Sequence, residues 1–143
     1  MIKKFTLGLA LAVSAALMPA ATATAADYPV EKVKGAGTSA CPADSVCLYQ
    51  DSNFNLDSGD DGAWIWVVKG TTARIPDGGN DETSSVYSTL NRGADVWMDA
   101  NYKGDSFYVP RFNENYASLK NVPQGHMTAN FNDSISSVTF DNF

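Results

Sequence analysis

The chain repeats itself, and that repeat limits the possible folds more than any other feature. Tyr49-Gln50-Asp51-Ser52-Asn53-Phe54 aligns with Trp97-Met98-Asp99-Ala100-Asn101-Tyr102, 48 positions later, and Asp57-Ser58 aligns with Asp105-Ser106 at the same offset. Asn80-Asp81-Glu82-Thr83-Ser84-Ser85-Val86 aligns with Asn132-Asp133-Ser134-Ile135-Ser136-Ser137-Val138 at an offset of 52. A unit this short cannot cover its own apolar face, so two copies must pair around a common core. The slip between the two offsets predicts one four-residue loop insertion in the second half.

Short β-branched or aromatic runs alternate with Gly, Asn and Asp turns. Residues 46–49, 64–68, 85–87, 95–98, 106–109 and 137–140 read as strands. No long window carries a 3.6-residue apolar period, and only Asn115 to Lys120 reads as one helical turn. In Trp64-Ile65-Trp66-Val67-Val68 the alternation predicts one face in the core and the other more exposed. The expectation is an all-β domain in which two four-stranded units form one sandwich.

The N-terminus has a different character. Lys3 and Lys4 precede an apolar run from Phe5 to Met18, followed by small residues and Ala23-Thr24-Ala25. This is the layout of a secretory signal peptide over residues 1–26, and the run is too short to span a bilayer. Export to the extracellular space is the expected localisation. Residues 27–40, with Lys32, Lys34, Gly35 and Gly37, read as a flexible leader before a domain over 41–143.

Without residues 1–26 the chain has 8 basic and 16 acidic residues, a net charge of −8. Such a chain repels nucleic acids and anionic membranes, so neither is an expected partner. A single His and two Cys cannot close a four-ligand Cys/His zinc site. Thirteen Asp and eleven Asn favour turns and hard oxygen-seeking cations instead. In an oxidising compartment Cys41 and Cys47 are expected to pair as a structural disulfide, since a redox pair needs CxxC spacing at a helix start.

Trp97-x4-Tyr102-x-Gly104 resembles the folded-hairpin signature of the βγ-crystallin Greek key, an aromatic, four residues, a second aromatic and a Gly two places on. Both repeats also carry [N/D]-[N/D]-x-x-[S/T]-S, which resembles that family's calcium motif, at Asn80–Ser85 and Asn132–Ser137. The resemblance implies two Greek keys, about 46–90 and 94–141, packed as a βγ-crystallin-type sandwich with pseudo-two-fold symmetry. The first hairpin departs from the pattern, because Leu56 stands where the family has Gly. A branched residue resists the positive φ of that position, so either Gly59 takes over in a longer loop or the hairpin is irregular.

The motif's residue types suit calcium, which takes six to eight mixed oxygen ligands. The resemblance implies two ions, each shared between the motifs. Asp81 and Asp133 would be charged ligands beside Asn80 and Asn132. Ser84 and Ser136 would give hydroxyls, Glu82 and Ser134 carbonyls, and the hairpins further carbonyls near Asp51 and Asp99. Extracellular calcium sites have Kd values near 10⁻⁴–10⁻³ M. At about 1 mM ion this amounts to roughly 0.4–1.4 kcal/mol per site, so the domain is expected to fold without calcium and to gain stability with it.

A second resemblance suggests another function. Cys41-Pro42-x4-Cys47-x-Tyr49 is similar to the opening of secreted actinobacterial metalloproteinase inhibitors, which implies a secreted protease as the alternative partner. Those inhibitors carry a second disulfide supporting the reactive loop, and this chain has no cysteine left for it. Region 111–131 is the longest variable loop and the first candidate for such contact. His126 lacks a catalytic motif around it, and Asp60-Asp61 reads as a solvated turn, so the expectation is a monomeric protein without catalytic activity.

Overall fold

The computed structural model describes residues 30–59, 62–112, 114–124 and 127–142. The signal peptide expected at 1–26, His126 and the Asp60-Asp61 turn lie outside the described residues. Ten strands form in chain order. They are β1 Val30–Gly35, β2 Val46–Tyr49, β3 Ala63–Val68, β4 Ser85–Ser88, β5 Ala94–Asp99, β6 Lys103–Val109, β7 Asn115–Tyr116, β8 Val122–Gln124, β9 Met127–Ala129 and β10 Ser137–Phe140. Three short 3₁₀ turns join them, and no α-helix occurs among the described residues. The fold is all-β, as the patterning required.

One sheet runs β1-β3-β2-β4-β7, a second runs β10-β5-β6, and β8-β9 is a small hairpin. All pairings are antiparallel. The two repeats exchange their third segments. In the first sheet Val86 of β4 opposes Tyr116 of β7, while in the second Val138 of β10 opposes Thr72 through an isolated bridge. Neither repeat forms a closed unit of its own, because each sheet takes one edge from the other copy.

This exchange resolves the slip in the repeat. Val86 and Val138 are 52 positions apart, but their equivalent partners Thr72 and Tyr116 are only 44 apart. The first half is therefore four residues longer between its first strand and its third segment, and the second is eight longer between its third and fourth strands. The second insertion holds the β8-β9 hairpin. The single four-residue insertion expected from sequence is the net of these two.

Between the sheets lies the main core, containing Val46, Leu48, Trp66, Val86, Val96, Phe107, Phe131, Ile135 and Val138. Removal of these side chains from water is the principal driving force for closing the sandwich. A second cluster covers the outer face of the first sheet, where Cys41, Cys47, Tyr49, Phe54, Ile65 and Val67 pack together. Both faces of β3 are consequently buried, with Ile65 at 0% and Trp66 at 1% exposure. The expectation of one exposed face fails because the disulfide segment lies over it.

The flexible leader also requires correction. Val30–Gly35 pairs along all of β3, from Val30 opposite Val68 to Gly35 opposite Ala63. This strand satisfies backbone groups that β3 would otherwise leave open at its edge. Its lysines cover aromatic surface, with Lys32 Nζ 4.5 Å and Lys34 Nζ 4.9 Å from the Trp64 ring centre. Charge made the segment read as solvated, whereas the lysine stems pack. Likewise Asn115–Lys120 is not one helical turn. Asn115–Tyr116 is extended as the exchanged strand, and a 3₁₀ turn follows at Leu119–Asn121.

Candidate functional site

The site is built where each folded hairpin meets the strand that follows its motif. Ser85, the motif's sixth residue, is buried; its hydroxyl donates to the Asp51 carbonyl at 2.6 Å and accepts from the Phe54 N–H at 3.1 Å. Ser137 does the same for Asp99 at 2.6 Å and Tyr102 at 3.1 Å. The Ser84 N–H donates to the Tyr49 carbonyl at 2.8 Å, and the Ser136 N–H to the Trp97 carbonyl at 2.9 Å. In each half a pair of serines thus fastens hairpin to strand, fixing the neighbouring oxygens.

The fifth-position hydroxyls reach across to the opposite repeat. Ser84 Oγ donates to Asp133 Oδ1 at 3.3 Å, and Ser136 Oγ donates to Asp81 Oδ1 at 3.2 Å. The backbone repeats the exchange, with the Asp81 N–H on the Ile135 carbonyl at 3.0 Å and the Asp133 N–H on the Thr83 carbonyl at 2.9 Å. Asp81 and Asp133 hold φ values of 60° and 53°, left-handed positions that aspartate tolerates better than most residues. Asn80 Nδ2 donates to Asp81 Oδ2 at 2.7 Å, and Asn132 Nδ2 donates to Asp133 Oδ2. Two matching corners result, each combining an Asn-Asp pair from one repeat with a serine from the other.

Not every predicted residue joins a corner through its side chain. The Asp51 carboxylate accepts from Ser58 Oγ at 2.6 Å within its own hairpin. The Asp99 carboxylate lies across Gly104, where an added Cβ would sit 2.6 Å from its Oδ2. Both approach the corners through their carbonyls, held one residue away from Ser84 and Ser136. Ser134 Oγ donates to the Asn132 carbonyl at 3.0 Å, and Glu82 is exposed.

The first hairpin is the irregular one. Asn53, Phe54 and Asn55 all take positive φ, at 55°, 55° and 62°, whereas Leu56 is right-handed at −63°. Asparagine supplies the left-handed residue one position before the missing glycine, and the loop continues to Gly59 at φ 78°. Asn55 is fully buried. Its Nδ2 donates to Gly35 and Trp64 carbonyls at 3.0 Å each, and its Oδ1 accepts from Asp51 N–H at 2.8 Å. Nothing in the repeat marked Asn55, because its counterpart is Lys103.

The disulfide joins Cys41 to Cys47. It holds the 35–41 segment over Tyr49, whose hydroxyl donates to the Gly37 carbonyl at 3.1 Å. Burial first, then the nearby Tyr87, pushes the Tyr49 phenol up to about 12.

Among the described residues no group of three or more His, Cys, Asp or Glu side chains gathers. A cation at these corners would therefore be held by mixed hydroxyl, amide, carboxylate and carbonyl oxygens, a hard set suited to calcium. One observation tests the fit directly. Asn132 Oδ1, adjacent to Asp133, is buried without a hydrogen-bond partner. An acceptor in that position matches a cation ligand, so the residues present fit the ion.

The family model of peptidase inhibitor family I36 matches residues 34–109. The chain belongs to that family. The match runs from the end of β1 through β6 and includes the disulfide and the first motif. Among solved structures, the chain is similar to one from work on the evolution of the eye-lens βγ-crystallin domain fold, at 27% identity and a TM-score of 0.61, covering 80% of this chain and 99% of that one. It is also similar to a βγ-crystallin from Ciona intestinalis, at 20% identity and TM-score 0.51, covering 68% and 99%. A βγ-crystallin from an archaeon matches at 20% and 0.51, covering 70% and 100%. No curated protein is significantly similar in sequence. This family member therefore has the βγ-crystallin-like Greek-key sandwich.

Proposed function

We propose that this protein is a secreted, non-catalytic calcium binder in which two ions stabilise the paired Greek keys. The observation carrying this reading is the reciprocal placement of Ser84 against Asp133 and Ser136 against Asp81. A cation between such partners would gain oxygens from both repeats at once, linking the two halves of the chain. Asp81 and Asp133 supply charge, Ser84 and Ser136 neutral hydroxyls, and Asn80 and Asn132 amide oxygens. Calcium, when bound, would supply the divalent positive charge that these oxygens would hold. Binding would add roughly 0.4–1.4 kcal/mol per site at about 1 mM ion for Kd values of 10⁻⁴–10⁻³ M. Thermal melts in EDTA and in several millimolar calcium test it. The Tm rises with calcium if the reading holds, and equal Tm values refute it.

Membership of family I36 favours a second reading, inhibition of a peptidase, and the resemblance of the Cys41-Pro42-x4-Cys47-x-Tyr49 opening narrows it to a secreted metalloproteinase. Incubation with a thermolysin-like enzyme at increasing molar ratio separates the two. Stoichiometric loss of proteolysis supports inhibition, and full proteolysis at excess protein refutes it for that enzyme class.

A further inference from the structure

We propose that the outer edge of β6 is the surface that docks a target peptidase, which lays an extended segment against it as an added strand, with Phe112 as a side-chain anchor at its end; this rests on the inhibition reading above. The two repeats differ at this edge. Strand β6 is the counterpart of β3, since each pairs with the strand before it in its own repeat. The outer edge of β3 is covered along its length by β1. Strand β6 ends its sheet, and no strand among the described residues lies beyond it. The chain thus supplies a partner strand for one edge and none for the equivalent edge.

Backbone direction shows which groups this edge offers. In an antiparallel pair the N–H and C=O of one residue point to the same side, and successive residues alternate. The Trp97 carbonyl accepts from the Ser136 N–H, on the β10 side of β5. Trp97 is therefore turned away from β6, and its partner Ser106 is turned away from β5. Tyr108 faces the same way as Ser106, and its carbonyl accepts at 3.0 Å from the hydroxyl of Tyr116, a residue of the other sheet. An incoming strand would find the N–H and carbonyl of Ser106 and the N–H of Tyr108.

Edge strands of folded proteins are normally protected by charge or by being short. The outermost strands of the first sheet follow that rule: β1 carries Glu31, Lys32 and Lys34, and β7 has two residues. In β6 the charges, Lys103 and Asp105, lie at its start, near the register shift between Trp97 and Asp99, and residues 106–109 carry none. Exposed aromatic surface gathers at the same end. Tyr108 is 50% exposed, and Phe112, just past β6, is 62% exposed. Phe112 holds φ 66°, an unfavourable position for a bulky residue, and its N–H is tied to the Leu90 carbonyl at 2.9 Å. A strained aromatic kept in solvent serves a partner better than it serves the core.

A peptidase suits this surface chemically. It must take its substrates extended to reach the scissile amide, so its cleft offers backbone groups that pair with an extended chain. Strand β6 presents such a chain, while its pairing with β5 from Lys103 to Val109 keeps it from bending into the catalytic centre.

Inhibition of a thermolysin-like enzyme by the wild type, Ser106→Pro and Phe112→Ala tests the proposal, together with hydrogen exchange of the wild type alone and in complex. Ser106→Pro removes an N–H that faces away from β5, so melts should show a folded protein. Its Ki should rise roughly tenfold or more, because a carbonyl of the partner loses its donor. Phe112→Ala should weaken inhibition by a similar factor. The Ser106 and Tyr108 amides should exchange quickly in the free protein and slow by about tenfold or more in the complex, a readout that needs no variant. An unchanged Ki in either folded variant, or inhibition without protection of those amides, overturns the proposal and leaves the inhibition reading intact. Protection already present in the free protein, with a doubled mass in sedimentation, assigns the edge to a second copy and also overturns it. No inhibition by the wild type overturns both.

Discussion

Thr83→Val separates the core role of the motif from its ligand role. Thr83 is fully buried, and among the described residues its hydroxyl has no hydrogen-bond partner. Its counterpart in the other repeat is Ile135, an equally buried member of the main core. The same position is therefore apolar in one copy and carries an unpaired hydroxyl in the other. A stranded buried hydroxyl costs about 1–3 kcal/mol, and valine replaces it with a methyl group of similar shape. A gain of about 1–2 kcal/mol is expected, which for a domain of this size raises Tm by roughly 4–8 °C. The backbone carbonyl of Thr83 that accepts the Asp133 N–H is kept. Differential scanning calorimetry in EDTA measures the gain, and calcium titration should show unchanged binding steps. An unchanged or lowered Tm would mean that an ordered water satisfies the hydroxyl. Weakened binding would instead place Thr83 among the ligands. Either result refutes the reasoning from the repeat.

Other outcomes follow from the same contacts. Asn55→Ala removes three buried hydrogen bonds and puts alanine at φ 62°, so a loss of about 3 kcal/mol or more is expected in urea unfolding. Replacing both Cys41 and Cys47 by alanine opens a short loop, with a loss of roughly 2–2.5 kcal/mol; limited proteolysis should then cut first near residues 35–41. Burial, followed by the charge of Asp141, raises the Asp95 carboxyl above its ordinary 3.8. The folded state then holds that proton more tightly than the unfolded state, so ionisation of Asp95 costs stability as pH rises past 3.8. Asp95→Asn should accordingly raise Tm at neutral pH, with an advantage that vanishes in acid; an equal gain at every pH would contradict this assignment.

Much of the architecture was legible because it is written in local patterns. Alternating apolar residues marked β2, β3, β5 and β10, and the paired motifs marked the entries to β4 and β10. The spacing of Cys41 and Cys47 marked a bond that short-range chain geometry permits. The features that escaped depend on which backbone edges remain open after the first strands have paired. Strand β1 looked solvated because Lys32 and Lys34 carry charge, yet β3 needed a partner and Trp64 accepted their stems. Asn55 was invisible because the two hairpins solve the same turn with different residues.

The sequence by itself determined a duplicated all-β chain, a folded hairpin in each half and two acidic motifs at matching places. Each follows from side-chain alternation, turn chemistry or repetition over a few residues. Only the tertiary structure decided that the third segments change sheets, that β3 is buried on both faces, and that each serine faces the aspartate of the other repeat. Those outcomes turn on backbone hydrogen bonds and packing between residues dozens of positions apart, where neighbouring side chains carry no signal.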